Sequence, residues 1–118
     1  MLTFSGGRVF LVAGPTDMRK SFNGLAGIVR GKLGEDPMSR DLFLFCNRLR
    51  NRLKVLVYDE AGVWVLAKRL DRGTFAWPSA DDVHGVKVEY REEQLTLLLR
   101  GFDTDKLRAR RWRRRARK

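Results

Sequence analysis

The chain has 118 residues but one cysteine, one histidine and three prolines. A single cysteine closes no intrachain disulfide, and together with a single histidine it falls short of the four-ligand set of a structural zinc site. Both point to a reducing compartment. Long apolar runs are missing as well: stretches such as Val9 to Ala13 reach about five residues, against the ~20 needed to cross a bilayer. No basic segment followed by an apolar one opens the sequence, so a secretory leader is not expected. These absences predict a cytoplasmic protein without a membrane partner. A chain of this size folds as one domain that buries roughly two-thirds of its unfolded surface, which excludes large multidomain enzymes.

What the sequence does have is positive charge: 25 Lys plus Arg against 14 Asp plus Glu, a formal net of +11. The excess is concentrated in Lys106 to Lys118 (KLRARRWRRRARK), which holds nine basic residues and no acid. The remaining 105 residues carry 16 basic and 14 acidic side chains and are nearly neutral. A run of this kind repels itself when free and cannot bury itself, so residues 104–118 read as a disordered basic tail that calls for a polyanion. Lys106, Arg108, Arg110, Arg111, Arg113, Arg114, Arg115, Arg117 and Lys118 are candidate phosphate contacts, and Trp112 is a candidate for stacking on a base. A solvated tail that only aids solubility and a membrane-surface role are the alternatives. The second has little support, because Leu107, Trp112 and two alanines make a small apolar face.

Upstream, Arg8 to Ala13 (RVFLVA) predicts a buried strand stopped at Gly14-Pro15. A helix capped by Thr16 or Asp17 should follow, with Met18, Phe22, Leu25, Val29 and Leu33 on one face. Gly24, Gly27 and Gly31 weaken it and would let another backbone come close. Leu42 to Cys46, Leu53 to Tyr58 and Val63 to Ala67 predict an antiparallel meander whose last two strands join through Asp59 to Gly62, with Gly62 at positive φ. Asn47 to Arg52 bridges the first two. Read as strand-like, it puts Arg48, Arg50, Arg52 and Lys54 on one side, a second cationic patch that is either a solvated hairpin end or a nucleic-acid contact. Lys68 to Pro78 reads as irregular, with Gly73 as a turn and Phe75 and Trp77 as lids on the sheet. Val86 to Val88 predicts an edge strand, and Arg91 to Arg100 a helix with Leu95, Leu98, Leu99 and Phe102 inward, stopped at Gly101.

Three catalytic look-alikes fail on chemistry. Gly14 to Ser21 (GPTDMRKS) approaches a phosphate loop, but Arg19 stands where a second glycine must let the backbone curl around phosphate. What remains is a helix start at which Arg19 and Lys20 are candidate anion contacts. Tyr58-Asp59-Glu60 lacks the further carboxylates that two-metal nuclease chemistry requires. His84 has no nucleophile and orienting carboxylate at a recognisable spacing. No catalytic residue, metal site or cofactor is expected.

Gly14 to Leu25 (GPTDMRKSFNGL), Leu42 to Arg48 with Arg52 to Leu56, and Lys68-Arg69-Leu70 with Gly73 to Pro78 together resemble the TnpB, or Orf2-like, accessory proteins of bacterial insertion sequences of the sixty-six type. Gln94-Leu95 before Leu98-Leu99 also fits, and the resemblance spans Phe4 to Asp103. It implies a non-enzymatic protein encoded beside a separate transposase and needed for efficient transposition. The arginine tail lies outside the matched motifs. The expectation is an α+β domain over residues 1–103, a small antiparallel sheet covered by two helices, with a tail over 104–118. Its partners would be DNA and the transposase, in the cytoplasm at the nucleoid. Two alternatives stand beside it: an adaptor that docks on the transposase through Gly24, Gly27, Gly31 and Trp77, and an RNA-binding module, since phosphate contacts alone do not tell RNA from DNA.

Overall fold

The computed structural model describes residues 7–81 and 85–101. The order of elements is β1 (Val9–Val12), α1 (Phe22–Ile28), β2 (Leu42–Cys46), β3 (Arg52–Tyr58), β4 (Val63–Arg69), β5 (Lys87–Tyr90) and α2 (Glu92–Leu99). The strands form one sheet in the order β4-β3-β2-β1-β5. The expected meander is present: β2 pairs with β3 and β3 with β4, both antiparallel. The sheet as a whole is mixed, however, because β1 lies parallel to β2 with Val9 opposite Leu42. The long connection through α1 returns the chain to the end where β1 began, which permits a parallel neighbour. β5 closes the other side of β1 in antiparallel register, Val9 against Tyr90.

Burial follows from this order. β1 and β2 are interior strands, and every residue of VFLV and LFLFC is buried, as expected for strands covered on both faces. On one face Phe10, Phe43, Phe45 and Leu56 pack against Leu25, Val29 and Leu33, with Phe10 and Phe43 stacked at 5.8 Å. On the other, Val9, Leu11, Leu44, Leu53 and Val55 meet Leu95 and Leu98 of α2 together with Phe75 and Trp77. The two aromatics are the lids expected from their place in the sequence. The Trp77 indole N–H donates to the carbonyl of Val12 at 2.8 Å, which satisfies its one polar atom inside the core. Two helices on opposite faces of a mixed sheet make an α+β fold.

The first helix departs from its helical-wheel reading. Its backbone begins only at Phe22, after Ser21, with no side-chain cap. The Asp17 carboxylate expected to cap it instead closes a short turn on Arg19. Phe22 is consequently exposed, and after Ile28 the chain widens into a π-helical turn, Val29–Leu33, before Gly34 ends it at φ 63°. Three glycines in this short segment remove the local preference for a tight α-helix, so the packing of Leu25, Val29 and Leu33 decides the path. The Asp59–Gly62 turn likewise forms without positive φ at Gly62. The Asp59 carboxylate holds it by accepting the N–H groups of Ala61 and Gly62, both at 2.8 Å, and the Trp64 indole N–H.

β4 extends two residues further than its apolar pattern suggested and takes in Lys68 and Arg69. α2 matches its expected extent. Gln94 accepts the Arg91 backbone N–H at its start, Glu92 and Glu93 occupy the dipole-favoured first turn, and Gly101 follows it at φ 75°.

Candidate nucleic-acid interface

The β2–β3 connection is a tight turn rather than a strand. The Asn47 side-chain oxygen accepts the backbone N–H groups of Asn51 and Arg52 at 3.0 Å, and Arg50 adopts φ 60°, the left-handed conformation. Arg48 and Arg50 therefore project from a loop, while Arg52 and Lys54 alternate on β3. The four cations share one end of the sheet but not one strand face, which corrects the expected stripe.

The same end gathers Lys68 and Arg69, two cations whose surrounding composition had suggested an irregular segment. In the β3–β4 ladder Asp59 N–H bonds Gly62 O and Leu70 N–H bonds Asn51 O, each at 2.8 Å. Those two bonds fix the parity: 53/68, 55/66 and 57/64 are hydrogen-bonded pairs, and 52/69 and 54/67 are the closely spaced pairs between them. Arg52 and Arg69 thus stand directly opposite each other on the face that carries α1, where like charges repel. With Met18, Leu53, Lys54, Ala67 and Lys68 they line an open groove of ≈ 470 Å³. Counting outward from the Asp59–Gly62 turn would have found this opposition from sequence, because an unbroken antiparallel register carries 58/63 through to 52/69.

Two carboxylates lie at this end: Asp17 is committed to Arg19, and Asp71 stands between Arg69 and Arg72 without an ion pair among the described residues. Among the described residues no ion pair engages Arg48, Arg50, Arg52, Lys54, Arg69 or Arg72, whereas Arg8 and Arg40 at the opposite end, and Lys87 on β5, have carboxylate partners. Lys54 reaches across to the Lys20 carbonyl at 2.8 Å and ties β3 to the approach of α1. Of the two candidate anion contacts before α1, Arg19 is held by Asp17 at 2.8 Å, an interaction that lowers the Asp17 pKa to about 2. Lys20 is exposed and has no carboxylate partner among the described residues.

The C-terminus of α2 comes to the same end. Lys68 donates to the Leu99 carbonyl at 2.5 Å, and a Cβ on Gly101 would lie 3.0 Å from the Leu70 side chain. The basic segment from Lys106 to Lys118 lies outside the described residues, as do His84 and Phe102. Chain length alone keeps Lys106, five residues beyond Gly101, within roughly 18 Å of it.

Other candidate features are closed or plain. Trp77 is 5 % exposed and fully engaged, so it offers no docking surface, contrary to the adaptor reading. A Cβ added to Gly27 or Gly31 would meet nothing within 4 Å, so among the described residues no backbone makes the close approach that these glycines suggested. Cys46 is buried on β2, and burial pushes its thiol pKa up to about 11, away from nucleophilic use. Among the described residues no group of His, Cys, Asp and Glu is placed to hold a metal, and no helix is long and apolar enough to cross a membrane.

Fold and surface together define a small α+β protein with a two-faced core and an acid-poor, arginine-rich end. Residues 7–109 match the family described as IS66 Orf2 like protein, and the chain belongs to that family. It is similar to the uncharacterized protein y4hO of Sinorhizobium fredii (strain NBRC 101917 / NGR234), 42% identical over 96 residues, covering 81% of each chain. It is also similar to the uncharacterized protein y4jC of the same strain, 31% identical over 98 residues, covering 83% of this chain and 81% of that one. No solved structure matches. Membership brings a transposition-associated accessory role in an insertion-sequence system, in a family that is not a known enzyme.

Proposed function

We propose that the protein assists a separately encoded transposase by holding DNA through electrostatic contacts made at the cationic end of its sheet and by its basic C-terminal segment. The observation that carries this reading is the Arg52–Arg69 opposition: two arginines at the closest cross-strand spacing, neither in an ion pair among the described residues. Such a pair opposes folding when free and is relieved by a bound anion. Arg48 and Arg50 on the turn and Lys54 on β3 lie at the same end, with Lys20 before α1 tied to it through Lys54, and Lys106, Arg108, Arg110, Arg111, Arg113, Arg114, Arg115, Arg117 and Lys118 follow Gly101 in the chain. Contacts of this type fix a protein on a duplex without reading base sequence. Trp112 adds a ring that can stack on an unpaired base. Specificity for the element's ends would then come from the transposase.

Gel-shift titration of the intact chain and of a chain ending at Asp105, with duplex DNA at two salt concentrations, tests this. The shortened chain should bind more weakly and with much less salt sensitivity, since nine phosphate contacts contribute about −8 to the log-log salt slope. Equal binding by both would remove the tail from the mechanism, and no binding by either at low salt would refute the reading. A competing RNA in the same titration separates duplex preference from attraction to any polyanion.

A further inference from the structure

The outer edge of β4 has a property that the cationic end does not explain. β4 is seven residues long, lies at the margin of the sheet formed by the described residues and contains no proline. Its central residues, Trp64 to Ala67, are uncharged, and Trp64 and Val63 are 53 % and 39 % exposed. Natural sheets blunt such an edge with short strands, prolines, bulges or inward-pointing charges, and the register against β3 is unbroken from Val63 to Arg69. By the parity of the β3–β4 ladder, Trp64, Leu66 and Lys68 direct their backbone N–H and C=O groups to β3. Val63, Val65, Ala67 and Arg69 point theirs outward.

We infer that β4 pairs antiparallel with β4 of a second copy of this chain, centred on Leu66, to make a continuous ten-stranded sheet. Both the register and the choice of occupant come from self-complementarity. A two-fold axis at Leu66 places Val63 opposite Arg69 and Val65 opposite Ala67 of the other copy, so all four outward-pointing residues find partners within the strand. The closely spaced pairs then become Leu66 with Leu66 and Trp64 with Lys68, two apolar contacts, the second made by the Lys68 alkyl stem because its ammonium is held by the Leu99 carbonyl. The charge agrees as well. β4 runs from an acidic turn, Asp59-Glu60, to a basic end, Lys68-Arg69, so antiparallel pairing sets acid beside base at both ends of the seam. A parallel arrangement would stack like on like.

The test is the mass of the full-length chain in solution, by sedimentation after nuclease treatment and at high salt, where bridging by polyanions is screened. The native chain should sediment at twice its 13.7 kDa. Ala67→Pro should sediment at the single-chain mass with an unchanged circular dichroism spectrum, because the lost N–H faces away from β3. Leu66→Cys should form a covalent dimer on mild oxidation, since closely spaced antiparallel pairs lie within disulfide reach. Val65→Cys, out of register with itself, should not. A native chain of single mass at all concentrations overturns the inference, as does a dimer that survives Ala67→Pro. Crosslinking at Val65 as efficient as at Leu66 overturns the register. If Ala67→Pro fails to fold, the two cysteine variants decide alone.

Discussion

The two ends of the sheet are built to opposite electrostatic rules. At the end where β1 and β2 begin, Arg8 is surrounded by Glu35, Asp41 and Glu89 at 3.8 to 4.0 Å and Arg40 meets Glu60 at 2.7 Å, while Lys87, opposite Val12 on β5, reaches back to Glu35 at 2.8 Å. Arg8 and Lys87 also lie over the ring of Phe10, 4.9 and 5.4 Å from its centre, and seal the core edge. At the other end Arg48, Arg50, Arg52, Lys54 and Arg69 have no carboxylate partner among the described residues. A body with 16 basic and 14 acidic side chains could have distributed them evenly. It ties the cations of one end to carboxylates and leaves most of those at the other end without one, although Asp17 and Asp71 lie there, which is the arrangement expected when that charge serves a partner rather than the fold.

Four variants sharpen or break this contrast. The largest effect on stability belongs to Asp41→Ala. The carboxylate is nearly buried and accepts the Arg8 backbone N–H at 2.8 Å, so its loss should cost about 1–3 kcal/mol in urea unfolding and leave DNA affinity unchanged. Replacing Arg52 and Arg69 together by alanine should do the reverse: stability within about 0.5 kcal/mol of the parent, and a salt slope of DNA binding shallower by about 2. Loss of stability without loss of binding in that double variant would abolish the distinction between the ends. Ala67→Glu sets a carboxylate opposite Lys54 in a closely spaced pair. It should add a few tenths of a kcal/mol, seen as a raised melting midpoint, while weakening DNA binding.

The smallest effect is at the acidic turn. Hydrogen bonds from the Trp64 indole and from the Ala61 and Gly62 backbone lower the Asp59 pKa below its ordinary 3.8. The ionised form therefore favours the folded state above that value, and the contribution fades as pH falls through it toward the folded-state pKa. Melting midpoints of the parent and of Asp59→Asn should accordingly converge on acidification and separate at neutral pH. A constant difference across that range would contradict this account of the turn.

Much of the fold was legible from the sequence for identifiable reasons. The runs VFLV and LFLFC announced interior strands because nothing polar interrupts them, and Phe75 and Trp77 read as lids because a small sheet needs large rings to cover it. Three features were hidden. The helix at Phe22 starts late because Asp17 finds Arg19 before it can cap anything, a competition that residue spacing does not rank. The parallel pairing of β1 with β2 depends on how the α1 segment returns, which is a tertiary choice. The cationic end was half visible: Arg48 to Lys54 stood out as an alternating run, but Lys68 and Arg69 were masked by the loop-like composition that follows them. Only the strand register joins the two groups.

The salt dependence of duplex DNA binding by the intact chain, followed by fluorescence anisotropy, bears most directly on the central claim. Affinity should fall along a straight log-log line steeper than about −8, because the contacts of the tail and of the sheet end add. An affinity that hardly changes with salt, or its absence at low ionic strength, would contradict the claim that this protein works by offering unpaired positive charge to phosphate.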